Sequence, residues 1–369
     1  MRSIAVFPAE KNVRLIEEHE PSLHSPTDVK LRILEVGICG TDREVCAFEY
    51  GAPPSQSPYL VVGHESLGEV VEVGSAVDGL EVGDLVVPMV RRPCPHDHCT
   101  ACRAGRQDFC YTGDFRERGI KGLHGFMTDF VVDEAGYMVE VPKGLREAAV
   151  LVEPLTIAEK ALAQIWQVQQ RLPWACPVEL GKPREHCHSA VVLGAGPVGI
   201  LGAMALAASG FEVFVYSRDE KPTPKADLVE SFGARYVSSA NHSVDDLRQM
   251  VGNIDVVYEA TGASSISFEM MKALGTNGIF VFTGVPGRKM PVPVDTDLLM
   301  RNIVLNNQVV FGTVNAGREA FESAVRDLGV FLERWPAAVG ALITGRHPLD
   351  AHRDLLLGRA QGIKNVIAF

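Results

Sequence analysis

A glycine string between two apolar segments constrains the fold of this chain more than any other feature. Residues 191–193 have the character of a short strand, Gly-Ala-Gly-Pro-Val-Gly occupies 194–199, and an apolar stretch follows up to Phe211. A strand that turns into a helix through G-x-G-x-x-G is the phosphate-binding element of a βαβ unit, whose backbone N–H groups face a pyrophosphate. The predicted cofactor-binding residues are Gly194, Gly196, Pro197, Val198 and Gly199.

The pattern of strands and helices changes near residue 190. Before it, the strand patterns are short and interrupted by glycine and proline, which is typical of a compact β-rich domain. After it, strands and helices alternate, which predicts a parallel sheet covered on both faces. The predicted strands are 29–36, 68–73, 85–87, 191–193, 212–216, 255–259 and 278–282, and the predicted helices are 155–170, a long apolar helix after the glycine string, 225–232 and 266–274.

These patterns predict an α/β fold with two domains. A β-rich domain is expected over residues 1–184, and a doubly wound parallel sheet over 185–312. The tail, 313–369, has further helical segments and is expected to return to the first domain. The length of 369 residues leaves room for both domains.

Charge and composition exclude several classes of partner. A formal net charge of -11 disfavours nucleic acids and anionic membrane surfaces, so a small molecule is the expected partner. The apolar stretch 190–211 is nearly long enough to span a bilayer, but its glycines and Pro197 favour a strand, a turn and a buried helix. The N-terminus lacks a secretory signal pattern, and eight cysteines without one indicate reduced thiols in the cytoplasm.

The end of the second strand of the βαβ unit bears on the choice between NADP and NAD. A carboxylate at that position bonds the ribose hydroxyls of NAD, whereas a 2′-phosphate requires a small polar residue and an arginine. The chain has Ser217 and Arg218 there, followed by Asp219. NADP is therefore the preferred cofactor, and Asp219 leaves NAD as the alternative.

One set of candidate metal ligands lies far apart in the sequence. Cys39 and His64 supply a thiolate and an imidazole, a suitable pair for a zinc ion that keeps one coordination position open. Glu65 is adjacent to His64, and both side chains reach one metal only if Gly63 bends the backbone. Glu153 is the competing carboxylate ligand, and the sequence leaves both open.

A second set of candidate ligands lies within one short segment, 94–110. Its spacing is Cys94-x4-Cys99-x2-Cys102-x7-Cys110. Four soft ligands in one loop predict a closed tetrahedral zinc site, which is structural and not catalytic. His96 also fits the ligand spacing with Cys99, so it is the alternative to Cys94 in this lobe.

Together these features resemble the zinc-containing medium-chain dehydrogenase family. Its zinc signature is matched in full by Gly63-His64-Glu65-x2-Gly68-x5-Gly74-x2-Val77. Within the family the chain is most similar to the glucose dehydrogenase branch. The strings that carry this similarity are Cys39-Gly40-Thr41-Asp42-Arg43-Glu44, Val90-Arg91-Arg92, Gly105-Arg106-Gln107-Asp108-Phe109-Cys110, Gly125-Phe126-Met127 and Gly312-Thr313-Val314-Asn315.

The resemblance implies a GroES-like catalytic domain, a Rossmann domain and oxidation of β-D-glucose at C1 to the gluconolactone. It further implies NADP or NAD as cofactor, catalytic and structural zinc, and a homotetramer. Sugar-binding residues are implied at Thr41, Glu117, Glu153 and Asn315, and Ser217 and Arg218 fall at the 2′-phosphate. The chain departs from the family in the x4 spacing after Cys94, and in Val90 and Ile157, where some members have asparagine and aspartate.

The expected chemistry is activation of a sugar hydroxyl by zinc and transfer of a hydride from C1 to the nicotinamide. Thr41 and Glu153 are the candidates for carrying the proton away. Two alternatives remain open at this level. One is a polyol, threonine or simple alcohol dehydrogenase, and the other is a non-catalytic nucleotide sensor.

Overall fold

The computed structural model describes residues 1–173, 188–287, 291–359 and 361–369. Its strands are β1 Arg2–Phe7, β2 Asn12–Glu17, β3 Asp28–Gly37, β4 Leu60–Val61, β5 Glu65–Val73, β6 Leu85–Pro88, β7 Arg91–Arg92, β8 Arg116–Arg118, β9 Gly122–Leu123, β10 Phe130–Glu134, β11 Met138–Val141, β12 Ser189–Leu193, β13 Glu212–Ser217, β14 Arg235–Ser238, β15 Val256–Glu259, β16 Ile279–Phe282, β17 Val309–Gly312, β18 Ile343–Pro348 and β19 Lys364–Ala368.

The α-helices are α1 Gly40–Cys46, α2 Thr100–Arg103, α3 Val152–Gln169, α4 Pro197–Ala208, α5 Pro224–Ser231, α6 Val244–Val251, α7 Ser264–Met271, α8 Thr296–Leu305, α9 Arg318–Arg334, α10 Pro336–Leu342 and α11 His352–Leu357. Short 3-10 helices lie at Gln107–Phe109, Ala135–Tyr137, Lys143–Leu145, Ala149–Leu151 and Leu349–Ala351.

The described chain divides into two compact units. The first contains Met1–Thr156, Asn315–Gly329 and Leu342–Phe369, and the second contains Ile157–Val314 and Val330–Ala341. The predicted domain boundary between residues 184 and 185 lies outside the described residues.

The first unit is built on a largely antiparallel sheet in the order β11-β6-β5-β3-β19-β18, with β10 also paired to β3. Along β3 the apolar side chains of Leu31, Ile33 and Val36 are buried in the core of this unit. The predicted strands at 29–36, 68–73 and 85–87 correspond to β3, β5 and β6. Two three-stranded sheets, β2-β1-β4 and β7-β8-β9, complete the unit.

The C-terminal tail contains strands that the sequence patterns did not indicate. β19 pairs with β3 antiparallel and with β18 parallel, so it lies inside the large sheet of the first unit. In β18 the side chains alternate only between half-buried and exposed, which gives a weak period-two signal. The expectation of further helical segments is therefore incomplete, although α9, α10 and α11 are present.

The second unit contains a six-stranded parallel sheet in the order β14-β13-β12-β15-β16-β17. This is the doubly wound arrangement in which the chain starts in the centre, moves to one edge, and then returns to build the other half. The predicted α/β fold with a Rossmann-type sheet is confirmed. β14, α6, α8 and β17 were not predicted. The strands β14 and β17 have only four residues each and therefore carry little periodicity.

Two helix predictions illustrate the effect of local chemistry. α3 begins at Val152, three residues before the predicted start, with Pro154 in its first turn, where proline is tolerated. The apolar stretch 190–211 forms β12, the glycine turn and the buried α4, as predicted.

Within the part of the chain that the structure describes, no helix has both the length and the apolar character needed to cross a bilayer.

Candidate active site

Three candidate ligands from two separate segments of the sequence meet in the first unit. The ligand atoms of Cys39, His64 and Glu65 all lie within 4.8 Å of one another. Cys39 is the N-cap of α1, just after β3, and Glu65 is the first residue of β5. β3 and β5 are antiparallel neighbours with Gly37 opposite Glu65, so their pairing brings the two segments together.

Two glycines make this convergence possible. Gly63 has φ +91, a left-handed conformation that turns the backbone before His64. At Gly37 an added Cβ would lie 2.3 Å from Oε2 of Glu65, so any larger residue would collide with that carboxylate. The predicted bend at Gly63 is present.

Asp42 organises the centre from within α1. Its side chain is fully buried and accepts hydrogen bonds from the backbone N–H groups of Cys39 (2.8 Å) and Gly63 (3.2 Å). Its Oδ1 also lies 3.1 Å from Nδ1 of His64, so a metal would bind that ring through Nε2. Burial lowers the pKa of His64, but the Asp42 carboxylate outweighs this and holds the pKa well above its ordinary value.

Glu65 is engaged by a buried lysine from β19. Nζ of Lys364 donates to Oε2 of Glu65 at 2.5 Å and to the carbonyl of Ile38 at 3.2 Å. Burial lowers the pKa of Lys364, but the Glu65 carboxylate outweighs this, and the pKa is raised overall. The Lys364 ammonium would therefore compete with a metal ion for the carboxylate of Glu65.

Glu153 lies in the first turn of α3 and is buried. The pKa of Glu153 is raised to about 7, mainly by burial. The charge of His64 lowers this pKa, and the charge of Glu65 raises it. Among the described residues Glu153 is outside the group of three whose ligand atoms converge. Thr41 is the second residue of α1 and is half-buried.

The four lobe cysteines also converge. The sulfur atoms of Cys94, Cys99, Cys102 and Cys110 lie within 4.8 Å of one another. The alternative ligand, His96, is engaged elsewhere, because its Nε2 lies 2.8 Å from Oδ2 of Asp114. Four thiols at this separation fit a tetrahedral zinc site.

Glu117 and Asn315, the two further residues implied in sugar binding, are in contact. Nδ2 of Asn315 donates to Oε1 of Glu117 at 3.2 Å. The same oxygen accepts from Nε of Arg91 at 3.0 Å and lies 2.9 Å from its NH2 group. All three residues are buried.

The glycine string lines a cleft of about 650 Å³ in the second unit. Gly194 has φ +100, and an added Cβ at Gly199 would lie 2.1 Å from the carbonyl oxygen of Gly194, so both positions require glycine. An added Cβ at Gly196 would meet no atom within 4 Å, which leaves the cleft side of the turn open. The α4 N-terminus and this open turn fit the pyrophosphate of a dinucleotide.

Polar residues at the far end of the cleft fit the adenosine half of a cofactor. Ser217, Arg218 and Asp219 all line the cleft, as does Lys225 from α5. Nζ of Lys225 lies 3.3 Å from Oδ2 of Asp219. This end of the cleft therefore has two cations and one partly neutralised carboxylate.

A buried carboxylate holds the loops on the other side of the cleft. Oε1 of Glu259 accepts from the backbone N–H groups of Thr261 (2.7 Å) and Gly262 (2.8 Å), and Oε2 accepts from that of Gly284 (3.2 Å). Thr261 and its neighbour Ala260 line the cleft.

The sequence analysis assigned no role to several residues of these sites: Asp42, Arg91, Lys225, Glu259 and Lys364. Asp42 had a readable signal, because an acidic residue three positions after a helix N-cap forms a capping box. Lys364 had none, since only the position of β19 brings it to Glu65.

Two family models together match most of the chain. The model described as "Alcohol dehydrogenase GroES-like domain" matches residues 25–143, and the one described as "Glucose dehydrogenase C-terminus" matches 146–369. Glucose 1-dehydrogenase of Methanocella arvoryzae is 36% identical over 368 residues, covering 100% of this chain and 99% of the relative. Glucose 1-dehydrogenase of Thermoproteus tenax is 36% identical over 373 residues, with coverage of 100% and 99%.

A solved structure supports the same assignment. Haloferax mediterranei glucose dehydrogenase in complex with NADP, Zn and gluconolactone matches with a TM-score of 0.87 and 33% identity, covering 100% of this chain and 99% of that chain. The resemblance inferred from the sequence motifs is confirmed. With its GroES-like domain, its glycine turn and its convergent Cys39, His64 and Glu65, this chain belongs to the glucose dehydrogenase family.

Proposed function

We propose that this protein oxidises an aldose, D-glucose first, at C1 to the lactone, with transfer of the hydride to NADP. The observation that carries the proposal is the convergence of Cys39, His64 and Glu65 within 4.8 Å in a member of the glucose dehydrogenase family. It is supported by the H. mediterranei relative, which was solved with NADP, Zn and gluconolactone.

Cys39 and His64 are the proposed permanent ligands of a catalytic zinc, with Glu65 or Glu153 as the carboxylate ligand. A thiolate, an imidazole and one carboxylate leave a fourth position open to substrate. When bound there, zinc supplies a Lewis acid that makes the C1 hydroxyl of the sugar a stronger acid. Asp42 keeps Nε2 of His64 directed to the metal, and Lys364 competes with the metal for Glu65.

The hydroxyl of Thr41 and the carboxylate of Glu153 are the proposed carriers of the proton that leaves the sugar. Thr41 is two residues from Cys39, and Glu153 is close enough to His64 and Glu65 for their charges to change its pKa. Glu117 and Asn315 are the proposed partners of the other sugar hydroxyls. The cysteines at 94, 99, 102 and 110 are proposed to hold a structural zinc.

NADP is the proposed cofactor of the cleft, with Gly194, Gly196, Pro197, Val198 and Gly199 at the pyrophosphate. Ser217 and Arg218 are proposed to hold the 2′-phosphate, with Lys225 as an additional cation. Asp219 is the proposed contact for the ribose of NAD, so slower use of NAD is expected.

The cofactor assignment is tested by the Arg218→Ala variant. A lost charge-assisted hydrogen bond to phosphate should lower kcat/KM for NADP by roughly 10- to 100-fold and leave that for NAD within about twofold. Arg235→Ala is the matched control, because Arg235 is an exposed arginine on the neighbouring strand β14 that pairs with Glu212. Equal losses with both cofactors would contradict a 2′-phosphate contact.

The reaction is tested by assaying aldoses, polyols, threonine and ethanol with NADP and then with NAD, alongside zinc analysis of the purified chain. We expect two zinc ions per chain and the highest kcat/KM with an aldose and NADP. A higher value with sorbitol, threonine or ethanol would favour another dehydrogenase. Zinc without turnover of any of these compounds would favour a nucleotide sensor.

We also propose that copies of the chain associate, with a homotetramer as the expected state. On α8 the apolar side chains of Met300, Val304 and Leu305 are 65%, 68% and 63% exposed, and β17 beside them is a sheet edge. Val304→Glu should shift the mass in sedimentation to smaller species, whereas Val82→Glu, at an equally exposed valine of the first unit, should not. An unchanged mass for the Val304 variant would exclude this face.

Residence in the cytoplasm remains part of the proposal. The described cysteines are all free thiols, which is typical of a reducing compartment.

A further inference from the structure

Within the described chain, the hydrogen bonds to the Glu117 carboxylate all reach one oxygen, Oε1. Oε1 is contacted by Nε and NH2 of Arg91, at 3.0 and 2.9 Å, and by Nδ2 of Asn315 at 3.2 Å. Among the described residues no hydrogen bond reaches Oε2 of Glu117. The two oxygens of one carboxylate are thus used in different ways.

Asn315 also has an oxygen without a partner. Its Oδ1 is buried and makes no hydrogen bond to any described residue. The orientation of this amide is physically determined, because turning it over would bring Oδ1 against the Glu117 carboxylate and lose the bond from Nδ2. A buried acceptor left in this state is unfavourable, so it indicates a donor that arrives from outside the chain.

We propose that Arg91 is a positioning residue for sugar specificity: it fixes Glu117 and, through it, Asn315, so that Glu117 Oε2 and Asn315 Oδ1 accept hydrogen bonds from hydroxyl groups of the substrate. This inference rests on the proposed sugar oxidation. It adds a residue with no direct sugar contact and defines the chemistry of the subsite as acceptance from free O–H groups.

Arg91 is itself held rigidly enough for this role. β7 and β8 pair with Arg91 opposite Glu117, so the two side chains leave adjacent strands at the same level. The guanidinium stacks on Phe115, with its centre 3.7 Å from the ring centroid. Its NH1 group reaches the carbonyl oxygen of Asp108 at 3.4 Å. Glu117 therefore has a fixed cationic partner on one side only.

The flat, forked guanidinium matters as much as its charge. Nε and NH2 approach the same carboxylate oxygen together, a geometry that the ammonium of lysine does not reproduce. Lysine also stacks less well on Phe115. Arg91→Lys therefore keeps the charge but should release Glu117 to rotate, and the two acceptor oxygens should lose their relative placement.

The first experiment measures steady-state kinetics of Arg91→Lys with glucose and NADP. We expect the KM for glucose to rise by roughly 10- to 100-fold, while the KM for NADP and the zinc content stay as in the wild type. Arg116→Lys is the matched control, because Arg116 is an exposed arginine next to Glu117 on strand β8. A KM for glucose within twofold of the wild type in folded Arg91→Lys protein would overturn the inference.

The second experiment separates positioning from a merely structural role. A cycle of Arg91→Lys, Glu117→Gln and the double variant should show that the second change adds little to the KM for glucose, because both act through one carboxylate. Fully additive changes would contradict the inference. Sugars whose hydroxyls at this subsite are methylated or removed should have a higher KM than glucose in the wild type. In Arg91→Lys this difference in KM should be much smaller.

Failure of this inference differs from failure of the proposed function. If the wild type oxidises glucose and Arg91→Lys does so equally well, only the role of Arg91 is wrong. If the wild type oxidises no sugar but acts on another alcohol, both the sugar assignment and the role of Arg91 are wrong.

Discussion

The two cysteine-containing clusters of the first unit are assembled in opposite ways. In the lobe, four thiols come from one segment, 94–110, and contact one another, a backbone N–H group and the hydroxyl of Thr112. In the candidate catalytic centre, Cys39 and His64 come from separate segments, the buried Asp42 contacts both of them, and the buried Lys364 pairs with Glu65. This difference is the one expected between a structural site that holds one loop together and the catalytic site proposed above.

The electrostatic surroundings follow the same division. The lobe ligands are all thiols. Burial raises the pKa of Cys110, but hydrogen bonds from Thr112, Cys102 and Gly113 outweigh it and lower the pKa to about 6, whereas burial raises the pKa of Cys102 to about 12. The centre instead contains two buried acid–base contacts, Asp42 with His64 and Glu65 with Lys364. Loss of the lobe should therefore affect stability first, and loss of the centre should affect chemistry first.

The largest effect is expected for Cys39→Ala. Removal of the thiolate should release the catalytic zinc and lower kcat/KM for sugar oxidation by ~10³-fold or more, since a Lewis acid supplies several kcal/mol to such a reaction. Zinc analysis should find one ion fewer per chain and circular dichroism an unchanged fold. Turnover near that of the wild type would remove the assignment of Cys39.

A smaller effect is expected for Asp42→Asn, which keeps the shape of the side chain. The amide no longer favours Nδ1–H on His64, so zinc affinity and kcat/KM should fall by roughly 10- to 100-fold. Added zinc should restore part of the activity, and the lobe zinc should stay. The comparison of the two clusters would be contradicted if this variant lost stability but kept its zinc affinity.

The smallest effect on turnover is expected for Cys102→Ser in the lobe. One zinc ion should be lost and Tm should fall by roughly 10 °C, if the metal contributes about 4 kcal/mol at about 3 °C per kcal/mol. Turnover of the folded protein at low temperature should stay within about threefold. Unchanged Tm in a scanning calorimeter, with full zinc content, would show that Cys102 is not a ligand.

Features formed by residues close together in the sequence were easier to predict than features formed by distant residues. The lobe and the glycine turn were predictable because each lies within one short segment of the sequence. In the turn, for example, the backbone requires glycine at both 194 and 199. The candidate ligands Cys39, His64 and Glu65 could be proposed from their chemistry, but their convergence was not predictable locally, because no local rule joins residues 39 and 64. Short elements such as β14 and β17 were missed, since four-residue strands carry little periodicity.

Residues that act through others were the hardest to predict. Lys364 and Arg91 are long, charged side chains whose ordinary place is the protein surface, and nothing in their local sequence marks them as buried. Their partners, Glu65 and Glu117, lie 299 and 26 residues away. Such pairs follow from strand pairing, which the amino-acid pattern alone does not give.

The place of β19 in the sheet bears on the order in which the protein is completed during translation. β19 separates β3 from β18 and carries Lys364, yet the ribosome makes it after every strand of the parallel sheet. A nascent chain can therefore form its nucleotide cleft before the first unit has its last central strand. Until that strand is released, Glu65 lacks the lysine that pairs with it, so we expect the candidate catalytic centre of an unfinished chain to be incomplete.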